Sequence, residues 1–440
     1  MLCDGGRFGR AHKDFFAMTL RLIASTALLA LALAGCGGGA AQPCTPASCP
    51  TGCCTADGQC AAGTATDACG AAGVLCGACA PGQQCTLQAC VAPVVEDAGA
   101  DAGTSADAGT GVDAGIPVDA GPPITAPADT WTWVDVPDSQ CGNGAPTGLA
   151  VNPTGRSTDL FIYLQGGGAC WEGISCFVLR SAVNLETGYT GASFAADPSR
   201  NAPFFSRANL NNPLKDMSYV YVPYCTGDVH AGDSVRAYDA QNPNRRVFHK
   251  GGKNIDAFLP RLKATFPNVA RVFVAGSSAG AYGAQLNFPK VRATWPNAEV
   301  HLLADCGQML NPSGTRLSDW LTAWNVTVPS DCAGCTTDFP KFPTYLATKY
   351  PASRFALLAY EQDNVLSQFF GYDLPTFQAR TRDLLTASYD GRSNARYFVS
   401  PAVNHVMLYD LFTLIGPRNV PLLTFTTDFV AGDPAWANVK

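Results

Sequence analysis

The sequence predicts an α/β protein with a mostly parallel sheet covered by helices on both faces. A small disulfide-rich module and a disordered linker are expected to precede it. Three observations carry this reading. Short apolar runs alternate with helix-compatible stretches from about residue 130 onward. Ten cysteines crowd into residues 44–90, and five Asp-Ala-Gly units lie between the two regions.

The sheet follows from the type of apolar run. Residues 160–164, 219–222, 271–275, 300–304, 355–359 and 397–399 are short apolar stretches with no polar alternation. That is the pattern of parallel strands buried on both faces. Stretches with helical character, 254–266 and 281–295, lie between them. Strand and helix in alternation imply crossover connections and therefore a parallel sheet.

The cysteine-rich stretch, within a module placed at 37–92, reads as a disulfide framework formed in an oxidising compartment. Zinc is the competing explanation, since Cys76 and Cys79 form a CxxC. The stretch holds no histidine and its spacings do not repeat as paired CxxC units, so disulfides are expected. From 93 to 128 the chain is small and acidic, with Asp-Ala-Gly at 97, 101, 107, 113 and 119. Such a segment buries too little apolar surface to offset its chain entropy, which makes it an extended linker. Each Asp stands alone in its repeat, without the clustered oxygens a calcium site requires.

Residues 1–36 read as an export signal. The apolar stretch 20–34 is too short for a comfortable transmembrane span. It ends in Leu33-Ala34-Gly35-Cys36, which resembles the lipobox of bacterial lipoproteins, where the cysteine is lipidated. Met18 followed by Arg21 would give a conventional short basic start. The expected location is the bacterial cell envelope, at the outer membrane or cell surface, with membrane attachment through Cys36. A net charge of -6 without any basic stripe argues against nucleic acid.

Chemistry is expected in the globular region 129–440. The run 271–275 leads into Gly276-Ser277-Ser278-Ala279-Gly280, followed by a helix-compatible stretch. This is the G-x-S-x-G nucleophile elbow in the strand–turn–helix setting that gives it meaning, and it specifies an α/β-hydrolase-like sheet. Ser278 is the candidate nucleophile; Ser277 occupies the variable position. The N–H of Ala279 supplies one oxyanion donor, and Gln165-Gly166-Gly167-Gly168-Ala169-Cys170, after an earlier buried run, resembles the glycine-rich oxyanion loop of esterases. A phosphate-binding loop would need a lysine or a G-x-G-x-x-G helix start, and neither is present.

The chain has five histidines. His12 precedes the signal segment, His230 and His249 precede the nucleophile, and His301 lies in a strand-like run. His405 follows the last run and fits the order serine, acid, histidine. For the acid, Asp363 follows the run before the histidine, with Glu361 nearby and Asp305 one run earlier. The topology of the fold favours Asp363.

These residues resemble the pectin acetylesterase family, which includes the animal carboxylesterase Notum. The resemblance covers the chain from about Trp131 and excludes everything before it. It is carried by Leu164 to Cys170 (similar to L-E-G-G-G-W-C), by Tyr221 to Asp228 (Y-x-x-Y-C-D-G), by the G-x-S-A-G at 276–280 and by Asn404-His405. It implies a Ser278–Asp363–His405 triad and an oxyanion hole from Gly167, Gly168 and Ala279. It also implies disulfides Cys170–Cys176 and Cys141–Cys225. Cys332 and Cys335 are a further candidate pair, which would leave Cys306 free. Ala169 stands where the plant pattern has tryptophan, and Gly168 where Notum has one. Both differences bear on the pocket wall and leave the chemistry alone.

The function expected from these features is serine ester hydrolysis, removing O-acetyl groups from a polysaccharide such as pectin. No metal or organic cofactor is implied, and the esterase domain is expected to be monomeric. A Notum-like lipid deacylase is the alternative, favoured by a deep apolar pocket. A non-catalytic carbohydrate-binding surface lipoprotein is the alternative from another class.

Overall fold

The computed structural model describes residues 44–91, apart from 46–47, 50–51, 71–74, 80–82 and 87–88, and residues 121–440. The chain divides into two compact units, Met1–Thr110 and Gly111–Lys440. The expectations for the signal segment, Cys36 and the repeats up to 120 lie outside the described residues. Among those described, no helix is long and apolar enough to cross a membrane.

Among its described residues the first unit contains three two-stranded ribbons, each strand two or three residues long. Strands this short bury too little to hold themselves together, and cysteine sulfur takes the place of a core. The pairs are Cys44–Cys54, Cys49–Cys60, Cys53–Cys76, Cys69–Cys85 and Cys79–Cys90. Cys76 and Cys79 therefore go to different partners, and the zinc alternative falls away.

The second unit is built on one eight-stranded sheet. Its strands are β1 (Thr132–Gln140), β2 (Pro146–Asn152), β3 (Leu160–Leu164), β4 (Ser218–Val222), β5 (Arg271–Ser277), β6 (Glu299–Asp305), β7 (Phe355–Tyr360) and β8 (Ala395–Ser400). The order is β8-β7-β6-β5-β3-β4-β2-β1, with β3 to β8 parallel and β1 and β2 antiparallel at one edge. All six apolar runs are strands of this sheet. Every residue of β3, β4 and β7 is buried, which is why none of them alternates.

The edge hairpin β1–β2 was not anticipated. In β1 buried and exposed positions mix, and the register shifts between Val136 and Gln140, around Pro137. A proline without an N–H is tolerated at an edge or a bulge. The linker boundary also moves. Residues 121–128, assigned to the linker, belong to the second unit: the Ile124 N–H donates to Thr265 Oγ1 at 2.9 Å, and Ile124 and Ala126 pack on the core. Ile124 supplies a branched apolar side chain to the core, and the prolines around it reduce the entropy lost on docking.

Candidate active site

Strand order determines where a site can form. β3 has β4 on one side and β5 on the other, so the loops leaving β3 and β5 diverge at their carboxyl ends. Such a switch point opens the crevice in which α/β proteins bind ligands. The two loops here are the glycine loop after β3 and the elbow after β5.

At the elbow, Ser278 has φ 56° and ψ -124°, a region that residues with a side chain rarely enter. The turn is possible because its glycines lack side chains. A Cβ on Gly276 would lie 2.2 Å from the Gly280 carbonyl oxygen, and one on Gly280 would lie 2.0 Å from the Leu164 oxygen. Ser278 caps the helix Ala279–Thr294, whose first N–H groups have no intrahelical acceptor. The Ala279 N–H is one of these, at the end of the helix dipole that favours an anion.

The glycine loop is held from below. His230 Nε2 meets the Gln165 carbonyl oxygen at 2.8 Å, and the Tyr224 N–H donates to Gln165 Oε1 at 3.0 Å. Gly168 has φ 75°, and a Cβ there would lie 1.9 Å from the Ser181 oxygen. The loop pairs with residues 181–183 through the N–H groups of Ala169 and Val183. That pairing does not use the N–H groups of Gly167 and Gly168. Gly168, Ala169, Ser278 and Ala279 all line the same cleft. The disulfide Cys170–Cys176 closes the loop, Cys141–Cys225 ties the β1–β2 turn to the segment after β4, and Cys332 pairs with Cys335. Cys306 is the free cysteine among the described residues.

The structure brings His405 and Asp363 together, with Nδ1 and Oδ2 2.7 Å apart. Asp363 is fully buried, and its Oδ1 accepts the N–H groups of Val365 at 2.9 Å and Leu366 at 2.8 Å. Glu361 is engaged elsewhere: Arg382 grips it with two bonds, 2.9 and 2.6 Å, and Gln378 adds a third. Asp305 bonds Ser277 and the backbone beyond His405 rather than the imidazole.

The other described histidines are buried. Burial pushes His230 and His249 down to about 4 and His301 down to about 3, from an ordinary 6.5. Each folded ring thus binds fewer protons than its unfolded counterpart between those values and 6.5. The stability they contribute is present above pH 6.5 and lost as pH falls toward 4. Asp228, pushed up to about 6 by burial, and Asp305, pushed up in the same way, act in the opposite sense, while carboxylates held low by their partners, such as Glu361 and Asp197, act with the histidines. We expect the melting temperature to fall steadily from pH 7 to pH 4.5. A flat or rising curve in that window would contradict the buried, neutral assignment.

The cleft itself was not foreseen. Its walls include Trp320, Trp324, Phe339, Phe369 and Phe370. Trp320 and Trp324 stand one turn apart on the helix Arg316–Trp324. The i, i+4 spacing was visible in the sequence, but it marks an apolar helix face equally well whether that face meets core or ligand.

A mostly parallel sheet with a strained serine turn at its switch point defines an α/β-hydrolase-like protein. Residues 131–336 match the family model described as Pectinacetylesterase. Palmitoleoyl-protein carboxylesterase NOTUM of Mus musculus is 27% identical over 204 residues, which is 43% of this chain and 38% of that protein. The Homo sapiens protein of the same name is 26% identical over 220 residues, 44% of this chain and 42% of its own length. The chain thus spans about two fifths of the length of these curated relatives. The solved structure of the Wnt deacylase Notum from Drosophila shares the fold, with TM-score 0.54 and 16% identity over 70% of this chain and 95% of that one. Over residues 131–336 the second unit is thus similar in sequence to the pectin acetylesterase/Notum family, and it shares the α/β-hydrolase-like fold of Notum. The family match includes the glycine loop and Ser278 but ends before Asp363 and His405, which rest on geometry alone.

Proposed function

We propose that the second unit hydrolyses carboxylic esters through an acyl-enzyme on Ser278, and that the preferred acyl group is apolar and longer than acetyl. The observation that carries this reading is the cleft, which reaches Ser278 and is walled by aromatic and aliphatic side chains. With Nδ1 committed to Asp363, Nε2 of His405 is the nitrogen left to take the Ser278 proton. The serine oxygen attacks the ester carbonyl, and the N–H groups of Gly167, Gly168 and Ala279 receive the developing oxyanion. The carbon–oxygen bond to the alcohol breaks as His405 returns the proton to it. Water, deprotonated by the same imidazole, then releases the carboxylic acid and restores Ser278.

Acyl length tests the reading. Each methylene buried contributes about 0.8 kcal/mol. Octanoyl exceeds butyryl by four methylenes, which sets an upper expectation on the order of 10² in kcat/KM. We expect nitrophenyl octanoate to exceed the butyrate and the acetate with the full chain. The name of the matching family supports the second reading, removal of acetyl groups from a polysaccharide. Fastest turnover of the acetate, together with acetate release from acetylated pectin, would establish that reading in place of the first.

A further inference from the structure

His405 follows β8, the outermost strand, whereas Ser278 follows β5, three strands further in. At the usual strand spacing the loop after β8 must cross roughly 14 Å of sheet to bring base and nucleophile together. Asp363 orients the imidazole, but it follows β7 and its bonds run to its own segment and to His405. Something else has to register the histidine loop against the elbow.

The residue placed to do so is Asp305, at the end of β6 and directly beside β5. Its Oδ1 accepts the Met407 N–H at 2.8 Å, and its Oδ2 accepts the Leu408 N–H at 3.1 Å. The same Oδ2 accepts the Ser277 hydroxyl at 2.7 Å, and the Asp305 carbonyl accepts the Ser278 N–H at 2.8 Å. Val406, between His405 and these amides, donates to Cys306 Sγ at 3.2 Å. Three consecutive amides after His405 are therefore anchored on the last residue of β6 and the residue after it. Two of them share a carboxylate with the residue before the nucleophile. The path needs holding, because Val406 has φ 56°, a conformation a β-branched residue seldom adopts.

Asp305 is fully buried and makes no ion pair among the described residues. A buried carboxylate is costly unless hydrogen bonds meet its charge. Burial pushes Asp305 above the ordinary carboxylate range, and its three donors work in the opposite direction. A group that bound one strand to one loop for stability alone could be a neutral side chain. Only a carboxylate offers two acceptor atoms to two parallel amides and a hydroxyl at once.

We propose that Asp305 is a positioning residue for the esterase reaction, its carboxylate holding the His405 loop and the Ser278 elbow in one register. The proposal rests on the assignment of Ser278 and His405 given above. In Asp305→Asn the amide nitrogen must face at least one of the three donors, which pushes the loop away from the elbow. Misplacement of about 1 Å costs on the order of 10² in rate. Neither Asp305 nor residues 405–408 line the acyl cleft, so substrate binding should be spared.

The test uses the full chain, nitrophenyl octanoate and a serine-directed fluorophosphonate. Asp305→Asn should lose about 10² in kcat with KM within about twofold of wild type. The fluorophosphonate should label it correspondingly more slowly but to the same final fraction, which a merely structural loss would lower instead. Ser277→Ala, which removes one donor, should lose several-fold in kcat, and the double variant should be no worse than Asp305→Asn. If Asp305→Asn does not accumulate, Ser277→Ala decides: an unchanged kcat overturns the proposal. Wild type and Ser278→Ala in the same assay separate the two hypotheses. An inert wild type, or an active Ser278→Ala, refutes the reaction itself. A wild-type kcat in Asp305→Asn beside an inert Ser278→Ala refutes the positioning role alone.

Discussion

Ser278→Ala should lower kcat on nitrophenyl octanoate by on the order of 10⁵–10⁶, leaving only the residual rate that an oxyanion site and binding supply. The size of the loss follows from the lack of any substitute. Tyr282 is the other hydroxyl lining the cleft, but it donates to the Gln308 carbonyl at 3.0 Å, and burial pushes its ionisation well above the ordinary value. Cys306 lies close to Asp363 and His405, yet it is fully buried and its thiol is likewise pushed up. Neither can take over as nucleophile at neutral pH. Alanine suits the turn no worse than serine, since both carry one Cβ at φ 56°, so the variant should fold. The check is kcat together with fluorophosphonate labelling. A variant that still formed the adduct at the wild-type rate would place the nucleophile elsewhere. A wild-type protein inert on every acyl length would favour the non-catalytic alternative.

Most of what positions this site was legible because short-range rules govern it. Six buried strands announced themselves by unbroken apolar runs, and the elbow by a glycine pair that only a tight strand-to-helix turn requires. What escaped notice depends on long-range contacts. The mixed pattern of 132–140 reads as loop until β2 is seen to pair with it, and Ile124 reads as linker until Thr265 is seen to hold it. Asp305 looked like a second-choice acid because it ends a strand after the nucleophile. Its actual partners lie about 100 residues away, at Met407 and Leu408. The cleft beside Ser278 is assembled from segments near 168, 279, 320, 339 and 370, and no local period encodes that convergence.

Asp363→Asn should reduce kcat by about 10⁴ with little change in KM, and the geometry explains why the amide cannot mimic the acid. Oδ1 of Asp363 accepts two backbone N–H groups, from Val365 and Leu366. An asparagine must turn its carbonyl oxygen toward those donors, because the reverse orientation would set its NH₂ against both. Its NH₂ then faces His405 at the position of Oδ2, 2.7 Å from Nδ1 in the wild type. Nδ1 becomes the acceptor, the ring proton moves to Nε2, and the nitrogen facing the reaction can no longer take a proton from Ser278. Glu361→Gln is the control, the other carboxylate of this segment, two residues away. Its charge is met by Arg382 and Gln378, so it should cost stability and leave kcat within about threefold. Measured at saturating octanoate, the expected order of kcat loss is Ser278→Ala, then Asp363→Asn, then Asp305→Asn, with Glu361→Gln far behind. A larger loss for Asp305→Asn than for Asp363→Asn would mean that the carboxylate anchoring the histidine loop matters more to the base than the one touching its ring.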